Sequence, residues 1–391
     1  MSKPPTIVVV GPSSRFLSGI SYYTVRLANA LSRHFRVRAV LFRHMLPRRL
    51  FPGWRRVGED LCSVAFEGGV DAAELLDWYN PVTWIKAATI AREADAVILQ
   101  WWTSSVAHMY VAILCLLPRR VPVIVEYHEV VDPLEQSLLP ARMYARFLGR
   151  IVRVRATHFV VHSDADRDIV AASYGVRRER ITVIPHPLYD QYPRVDKEKA
   201  RESLGIAEEN VILFFGLLRP YKGVKYLVRA FEELPDDVAR DTRLLIVGEA
   251  WEDRESLARV RESPRRERIT VVDRYVPDRE VPLYFSAADM LVLPYTRASQ
   301  SGVAHIAMAY GLPVVATRVG GLAEGMGSYP GAFLVSPGSV EELKGEILQH
   351  LPEKKTYPPP TELAWESVGE KWMDLCERAR RCHADRDPHR L

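Results

Sequence analysis

The sequence is poor in several features at once, and each shortage removes a class of protein. Four cysteines, Cys62, Cys115, Cys376 and Cys382, are spread over 391 residues. None stands at a metal-ligand spacing, so a zinc module or a disulfide scaffold is excluded and reduced thiols are expected. The longest apolar run, 109-MYVAILCLL-117, falls well short of the roughly 20 residues a membrane-spanning helix needs. Met1 leads almost directly into TIVVVG, so no signal peptide is expected and the chain reads as cytoplasmic. The loop after that first strand-like run, 11-GPSSRFLSG-19, holds Gly11 and Gly19 too far apart for a GxGxxG turn. A dinucleotide-dependent oxidoreductase is therefore disfavoured. The segment 295-YTRASQSGVAHIAMAYGLPVVATRVGG-321 contains neither Asp nor Glu. A ligand bound there must be held without a carboxylate.

What is present is a soluble, globular composition, 48% hydrophobic and 26% charged. The chain is too long for one ordinary core, and two domains are expected. Apolar runs at residues 7–10, 38–42, 96–100, 122–126, 158–161 and 181–184 alternate with helix-length segments. One of these, residues 20–33, repeats apolar residues every three to four positions. The second half repeats the plan at 211–215, 243–247, 269–272, 290–293 and 313–317. Continuous apolar strands between helices indicate parallel sheets covered on both faces, so the fold class is α/β with two doubly wound domains. The boundary is expected in 185-PHPLYDQYPRVDKEK-199, where prolines break the periodicity. After Pro358–Pro360, 362-ELAWESVGEKWMDLCERARR-381 reads as an amphipathic helix, and the polar residues from His383 onward read as a frayed end.

Charge is uneven. Residues 1–190 hold 24 Lys and Arg against 17 Asp and Glu, and all but two of those cations are Arg. One cluster, 43-RHMLPRRLFPGWRRVGED-60, interleaves Arg with Leu, Phe and Trp. Another, 142-RMYARFLGRIVRVR-155, places Arg at 142, 146 and 150, a helical spacing. Both readings stay open: attraction to an anionic acceptor or membrane surface, or a solvated arginine face.

Ligands of doubly wound sheets bind beyond the carboxyl ends of the strands, so the strand-end loops are the places to search. Gly19 can bring backbone N–H groups near an anion. After the strand at 211–215 comes 216-GLLRPYKGVKYLVRAF-231, where Gly216 permits a turn and Arg219 and Lys222 stand just before a helix. Cations at a helix start oppose its dipole unless an anion lies between them. In the carboxylate-free segment, Ser299, Gln300 and Ser301 are expected to cap a helix running through 303-VAHIAMAY-310, with Gly302 permitting close approach. Its N–H groups offer a second anion site. His305, inside that helix, is expected to pack or face solvent rather than catalyse.

The series GLLRPYKGVKYLVRAF, LLIVGEAWED, VDRYVPDREVPLYFSAADMLVLPY and GLPVVATRVGGLAE resembles retaining glycosyltransferases of family 4. The glycine loop before the GI helix, 126-EYHE-129, 160-VVHSDADRDIV-170 and the tryptophan helix at Trp365 match in order. The resemblance implies a GT-B fold, two Rossmann-like domains facing across a cleft. It divides the chain into an acceptor domain, residues 1–188 with a returning helix at 362–391, and a nucleotide-sugar domain, residues 189–361. Carried over by position, Lys222 grips the diphosphate. The usual arginine after the glycine is Leu217, which leaves Arg219 as its substitute. Tyr275 and Val276 receive the base, Glu249 follows the bordering strand, and His128 faces the donor sugar. Ser299 to Val303 complete the donor site.

The family's paired glutamates fall at Ala298 and Ile306, neither of which accepts a hydrogen bond through its side chain. A lost charge-assisted bond to ribose costs about 1.5–3 kcal/mol. No DxD-like pair stands at a suitable strand end, so no metal or other cofactor is expected beyond the nucleotide-diphosphate sugar (UDP- or GDP-linked) as co-substrate. The expected partners are that donor and an acceptor glycan, lipid-linked or small molecule, with peripheral contact at an inner membrane face left open and no nucleic acid. The alternatives are a sugar-nucleotide epimerase of the same fold, or a non-catalytic nucleotide-sugar binder.

Overall fold

The computed structural model describes residues 4–16, 19–45, 64–130, 132–136, 138–251 and 253–384. Most of the cluster at 43–60, Cys62 and the end of the chain beyond residue 384 lie outside the described residues. The chain forms two compact units, one of Met1–Pro185 with Trp365–Leu391, the other of His186–Ala364.

The first unit is built on strands β1 (Thr6–Pro12), β2 (Arg36–His44), β3 (Val70–Asp77), β4 (Ala96–Trp101), β5 (Val123–Tyr127), β6 (His158–Val161) and β7 (Ile181–Val183). They lie in the order β3-β2-β1-β4-β5-β6-β7, all parallel. Successive side chains alternate between faces. Val8, Val10, Val97, Leu99, Val123 and Val125 enter one core cluster, while Ile7, Val9, Ala96, Ile98 and Ile124 enter the other. Both faces are therefore buried, as the unbroken apolar runs required.

The second unit contains β8 (Asn210–Phe215), β9 (Thr242–Val247), β10 (Ile269–Val272), β11 (Met290–Leu293), β12 (Val314–Thr317) and β13 (Ala332–Val335). Their order is β10-β9-β8-β11-β12-β13, again all parallel. The strand order reverses beside β1 and β4 in one sheet and beside β8 and β11 in the other. Crevices for ligands open at those switch points.

β3 and β13 were not expected. Each is an edge strand with mostly half-exposed or exposed side chains; charges interrupt β3, whereas β13 is a short unbroken apolar run, AFLV. The final helix spans Trp365–Ala384, after a short 3-10 turn at Thr361–Leu363, rather than starting at residue 362. Trp365, Val368, Trp372, Leu375 and Cys376 form one stripe on it and pack with Tyr23, Leu27, Ala28 and Leu31 of the helix Gly19–Ser32. Gly369 permits the approach, since a Cβ there would stand 3.3 Å from the Ala30 Cβ. Among the described residues, no helix is long and apolar enough to cross a membrane.

Candidate functional site

In the second unit, glycines draw the strand-end loops together. Gly248 has φ +141°, and a Cβ on it would fall 2.1 Å from the Gly216 carbonyl oxygen. Gly223 has φ +65°, and its Cβ would fall 2.0 Å from the Pro294 carbonyl oxygen. No L side chain fits either place. Thr296 N donates to the Tyr221 carbonyl at 2.8 Å, fastening the 216–223 loop to the chain leaving β11.

This closure half-buries Lys222. Its ammonium donates to the Tyr295 hydroxyl at 2.6 Å and lies 4.0 Å from the centre of that ring. The Tyr295 hydroxyl is in turn 3.4 Å from Ser301 Oγ. Burial brings the Lys222 pKa down from 10.5 to about 8, with Tyr221 opposing and the Arg219 charge adding to the fall. Among the described residues no carboxylate pairs with this ammonium. The Arg219 guanidinium lies 4.9 Å from the Trp251 ring centre. Arg219 is the residue before the 3-10 turn Pro220–Lys222, its side chain making no capping bond, and that turn leads into the helix Val224–Glu232.

The helix of the carboxylate-free segment spans Gly302–Ala309. The capping expected of Ser299, Gln300 and Ser301 is not what the structure shows. Ser301 is the N-cap residue, but its side chain makes no capping bond and its hydroxyl is near Tyr295 instead. Ser299 and Gln300 precede it in the loop, and Gln300 Nε2 is buried with no hydrogen-bond partner. Gly302 is required by packing, because a Cβ would stand 2.9 Å from the Tyr189 ring. Val303 reaches back toward Gly216, 3.5 Å from where a Cβ on that glycine would lie. His305 is 2% exposed, its ring 5.0 Å from that of His186, so it is a packed residue. Ile306 is buried and Ala298 half-buried.

Glu249 lies in the loop after β9, and its carbonyl accepts from Leu218 N at 2.9 Å, which sets that loop beside the one carrying Arg219. Tyr275 and Val276 lie in the loop after β10, with Val276 buried.

In the first unit Gly19 is the first residue of its helix rather than a turn before it. His128 directly follows β5, its N–H donating to the Trp101 carbonyl at 2.8 Å. Beneath it lies a buried polar cluster that motif matching did not assemble. Glu126, with no exposed surface, places Oε2 at 3.4 Å from His128 Nε2, and Oε1 at 3.7 Å from His162 Nε2. His162 Nδ1 is 2.9 Å from the Ile184 carbonyl oxygen. Gln100 Nε2 donates to Glu126 Oε2 at 3.1 Å, and Thr24 donates to Gln100 Oε1. Tyr23 sets its ring edge-on to His128 and accepts from Trp372 Nε1 at 3.0 Å, so the final helix supports the cluster.

Burial alone would raise the Glu126 pKa. The His128 and His162 charges with hydrogen bonds from His128 and Tyr23 outweigh it and keep the carboxyl below its usual value. For His162, burial and the neighbouring His128 outweigh the attraction of Glu126, giving about 4. Glu126, His128 and His162 present three ligand atoms within 4.8 Å of one another, a donor set that suits a divalent cation. The sequence signal existed: Glu126 pairs with Val160 across β5 and β6, so residues two beyond each, His128 and His162, meet at adjacent strand ends.

Comparison with known proteins follows the same division. The profile of the glycosyl transferase 4-like domain matches residues 18–187, and that of the glycosyl transferases group 1 matches residues 209–353. A 2-deoxystreptamine glucosyltransferase of Streptomyces kanamyceticus is 30% identical over 224 residues, 56% of each chain. A D-inositol 3-phosphate glycosyltransferase of Nocardia farcinica is 38% identical over 158 residues, 38% of this chain and 35% of that protein. The chain thus spans about half or less of the length of these curated relatives. The solved structure of Anabaena Alr3699/HepE in complex with UDP-glucose shares the fold, with TM-score 0.65 at 17% identity over 97% of this chain and 98% of that one. With one family profile on each of its two parallel-sheet units, the chain belongs to the family 4-like, group 1 glycosyltransferases of GT-B fold.

Proposed function

We propose that the protein transfers a hexose from a nucleotide-diphosphate sugar to an acceptor hydroxyl with retention of anomeric configuration. The observation that carries this reading is Lys222, a half-buried ammonium at a strand-end loop with no carboxylate among the described residues to balance it. A charge withdrawn from water in this way is costly unless an anion joins it. A diphosphate supplies that anion, and Arg219 at the same loop supplies the second cation. As the bond from the anomeric carbon to the phosphate oxygen breaks, charge grows on the diphosphate and both cations stabilise it. The acceptor oxygen bonds to the anomeric carbon on the face the diphosphate leaves, and its proton passes to a phosphate oxygen.

In the first unit Glu126 Oε2 stands 3.4 Å from His128 Nε2, which orients the imidazole that the family resemblance sets toward the sugar. Tyr275, Val276 and Glu249 take the base and ribose side. Gln300, with its buried and unpartnered Nε2, is the polar group offered to donor hydroxyls where the family's glutamates are absent. A uridine nucleotide and a glucosyl group are the first donors to test, since the related fold holds UDP-glucose and one relative is named a glucosyltransferase.

The test is a thermal-shift series with UDP, GDP and ADP, followed by transfer from the matching sugar to a broad acceptor panel, with the product anomer read by NMR. A shift with one diphosphate and a product retaining the donor anomer are expected. Binding without transfer to any acceptor would instead identify a non-catalytic binder. Conversion of the donor with no acceptor present would identify an epimerase.

A further inference from the structure

The helix Leu139–Arg155 has a second apolar face that the fold does not use. Its inner side, Ala145, Gly149 and Val152, is buried against the first unit. On the outer side Leu139, Met143 and Phe147 recur at every fourth residue and are 64%, 64% and 67% exposed. Val154 is 76% exposed, and Leu138, just before the helix, is 82% exposed. At 100° per residue these helical positions fall within one arc about a quarter of a turn wide. Arg146 borders that arc and Arg150 lies within it on the same side, between Leu139 and Met143; both are exposed, and among the described residues neither forms an ion pair.

Beside this arc lies an open cavity of about 730 Å³ between the helix and its neighbour Asp164–Tyr174. Among the described residues, Arg146, Arg150, Arg153 and Arg180 line it against the carboxylates of Asp132 and Glu135. Arg153 is folded over the Tyr174 ring, 4.0 Å from its centre. Gly149 makes room for it, since a Cβ there would stand 2.9 Å from the guanidinium. Val154 and Ile169, both exposed, lie among the lining residues.

We propose that this helix docks on an anionic lipid bilayer, its apolar arc entering the acyl boundary and the neighbouring arginine cavity receiving a lipid phosphate headgroup. Charge complementarity selects this occupant. An apolar stripe with unpaired cations along one side of it is the pattern of an interfacial helix, whereas a twofold contact between two copies would bring arginine rows against each other. The docking is independent of which sugar the protein moves, so its test reads binding to lipid and leaves the transferase reading to its own assay.

The full chain is sedimented with vesicles of phosphatidylcholine alone, or containing about one third phosphatidylglycerol. The wild type is expected to bind the anionic vesicles at least tenfold more strongly, and less so at high salt. Met143→Ser with Phe147→Ser is expected to lose at least tenfold. Arg146→Gln with Arg150→Gln is expected to lose binding together with its salt dependence. All four side chains are exposed, so unchanged thermal unfolding is the control for both variants. The proposal is overturned if the wild type stays in the supernatant, or if neither double variant weakens binding. It is also overturned if the wild type is a dimer by light scattering that Met143→Ser with Phe147→Ser converts to monomer.

Discussion

Lys222→Met separates the binding role of this lysine from any role in the fold. In the absence of ligand the charged lysine is a burden on the second unit. The fall of its pKa from 10.5 to about 8 corresponds to about 3 kcal/mol against the ammonium form. The hydrogen bond to the Tyr295 hydroxyl returns about 1 kcal/mol. Methionine fills similar space without charge, so the variant gains about 2 kcal/mol. For a unit of this size that raises its unfolding transition by roughly 4–8 °C.

The sign follows from linkage. The folded pKa is depressed, so the penalty is complete below pH 8 and disappears as the pH rises from about 8 toward 10.5. The gain from Lys222→Met should shrink over that same interval. UDP should raise the wild-type transition but not that of the variant. Affinity of the wild type for UDP should be flat below pH 8 and fall by up to tenfold per pH unit above it, as the ammonium deprotonates. Melting curves with and without UDP between pH 7 and 10 read all of this. A variant that melts lower than wild type without ligand, or that UDP stabilises equally, would refute the reasoning.

Two further substitutions probe the scaffolds of the two sites. Glu126→Ala leaves His128 and Gln100 without the carboxylate they share, and breaking such a buried pair costs about 3–5 kcal/mol. Denaturant unfolding of the first unit measures it, and a loss below 1 kcal/mol would show the cluster to be loosely held. Gly223→Ala places a Cβ on the Pro294 carbonyl in a left-handed backbone, which costs about 1–2 kcal/mol from conformation alone. It should also weaken UDP binding at least tenfold by moving the loop that carries Lys222; unchanged titration curves would contradict the close packing.

Much of this was legible in the sequence because parallel strands buried on both faces must be continuously apolar. That is why β1, β4, β5, β8 and β11 stood out. The edge strand β3 did not, because a half-exposed strand tolerates the charges that break such a run; β13, the short apolar run AFLV, carried no such break and was legible by the same rule. Lys222 could be singled out because a cation before a helix is out of place by itself. The Glu126 cluster was hidden for the opposite reason. Apart from His128, which the resemblance marked, each of its members looks ordinary in its own segment, and only the pairing of β5 with β4 and β6 brings Gln100, Glu126, His128 and His162 into one place. Ser301 misled because its type and position suit a cap, while the nearby Tyr295 hydroxyl, six residues back in the chain, draws its side chain away.

The return of the helix Trp365–Ala384 to the first unit makes the second unit a guest inserted into its host. Residues 186–364 are continuous, so the guest is complete once its own last residue has been made. The host is not. Until Trp365, Val368 and Trp372 emerge from the ribosome, the surface around Tyr23 and Leu27 has no cover. During synthesis the earlier half therefore waits for the later one, and the buried Glu126 and His128 beneath Tyr23 acquire their final support last. A chain cut before Trp365 would carry an intact guest and an unfinished host, which is the reverse of what the order of synthesis alone would predict.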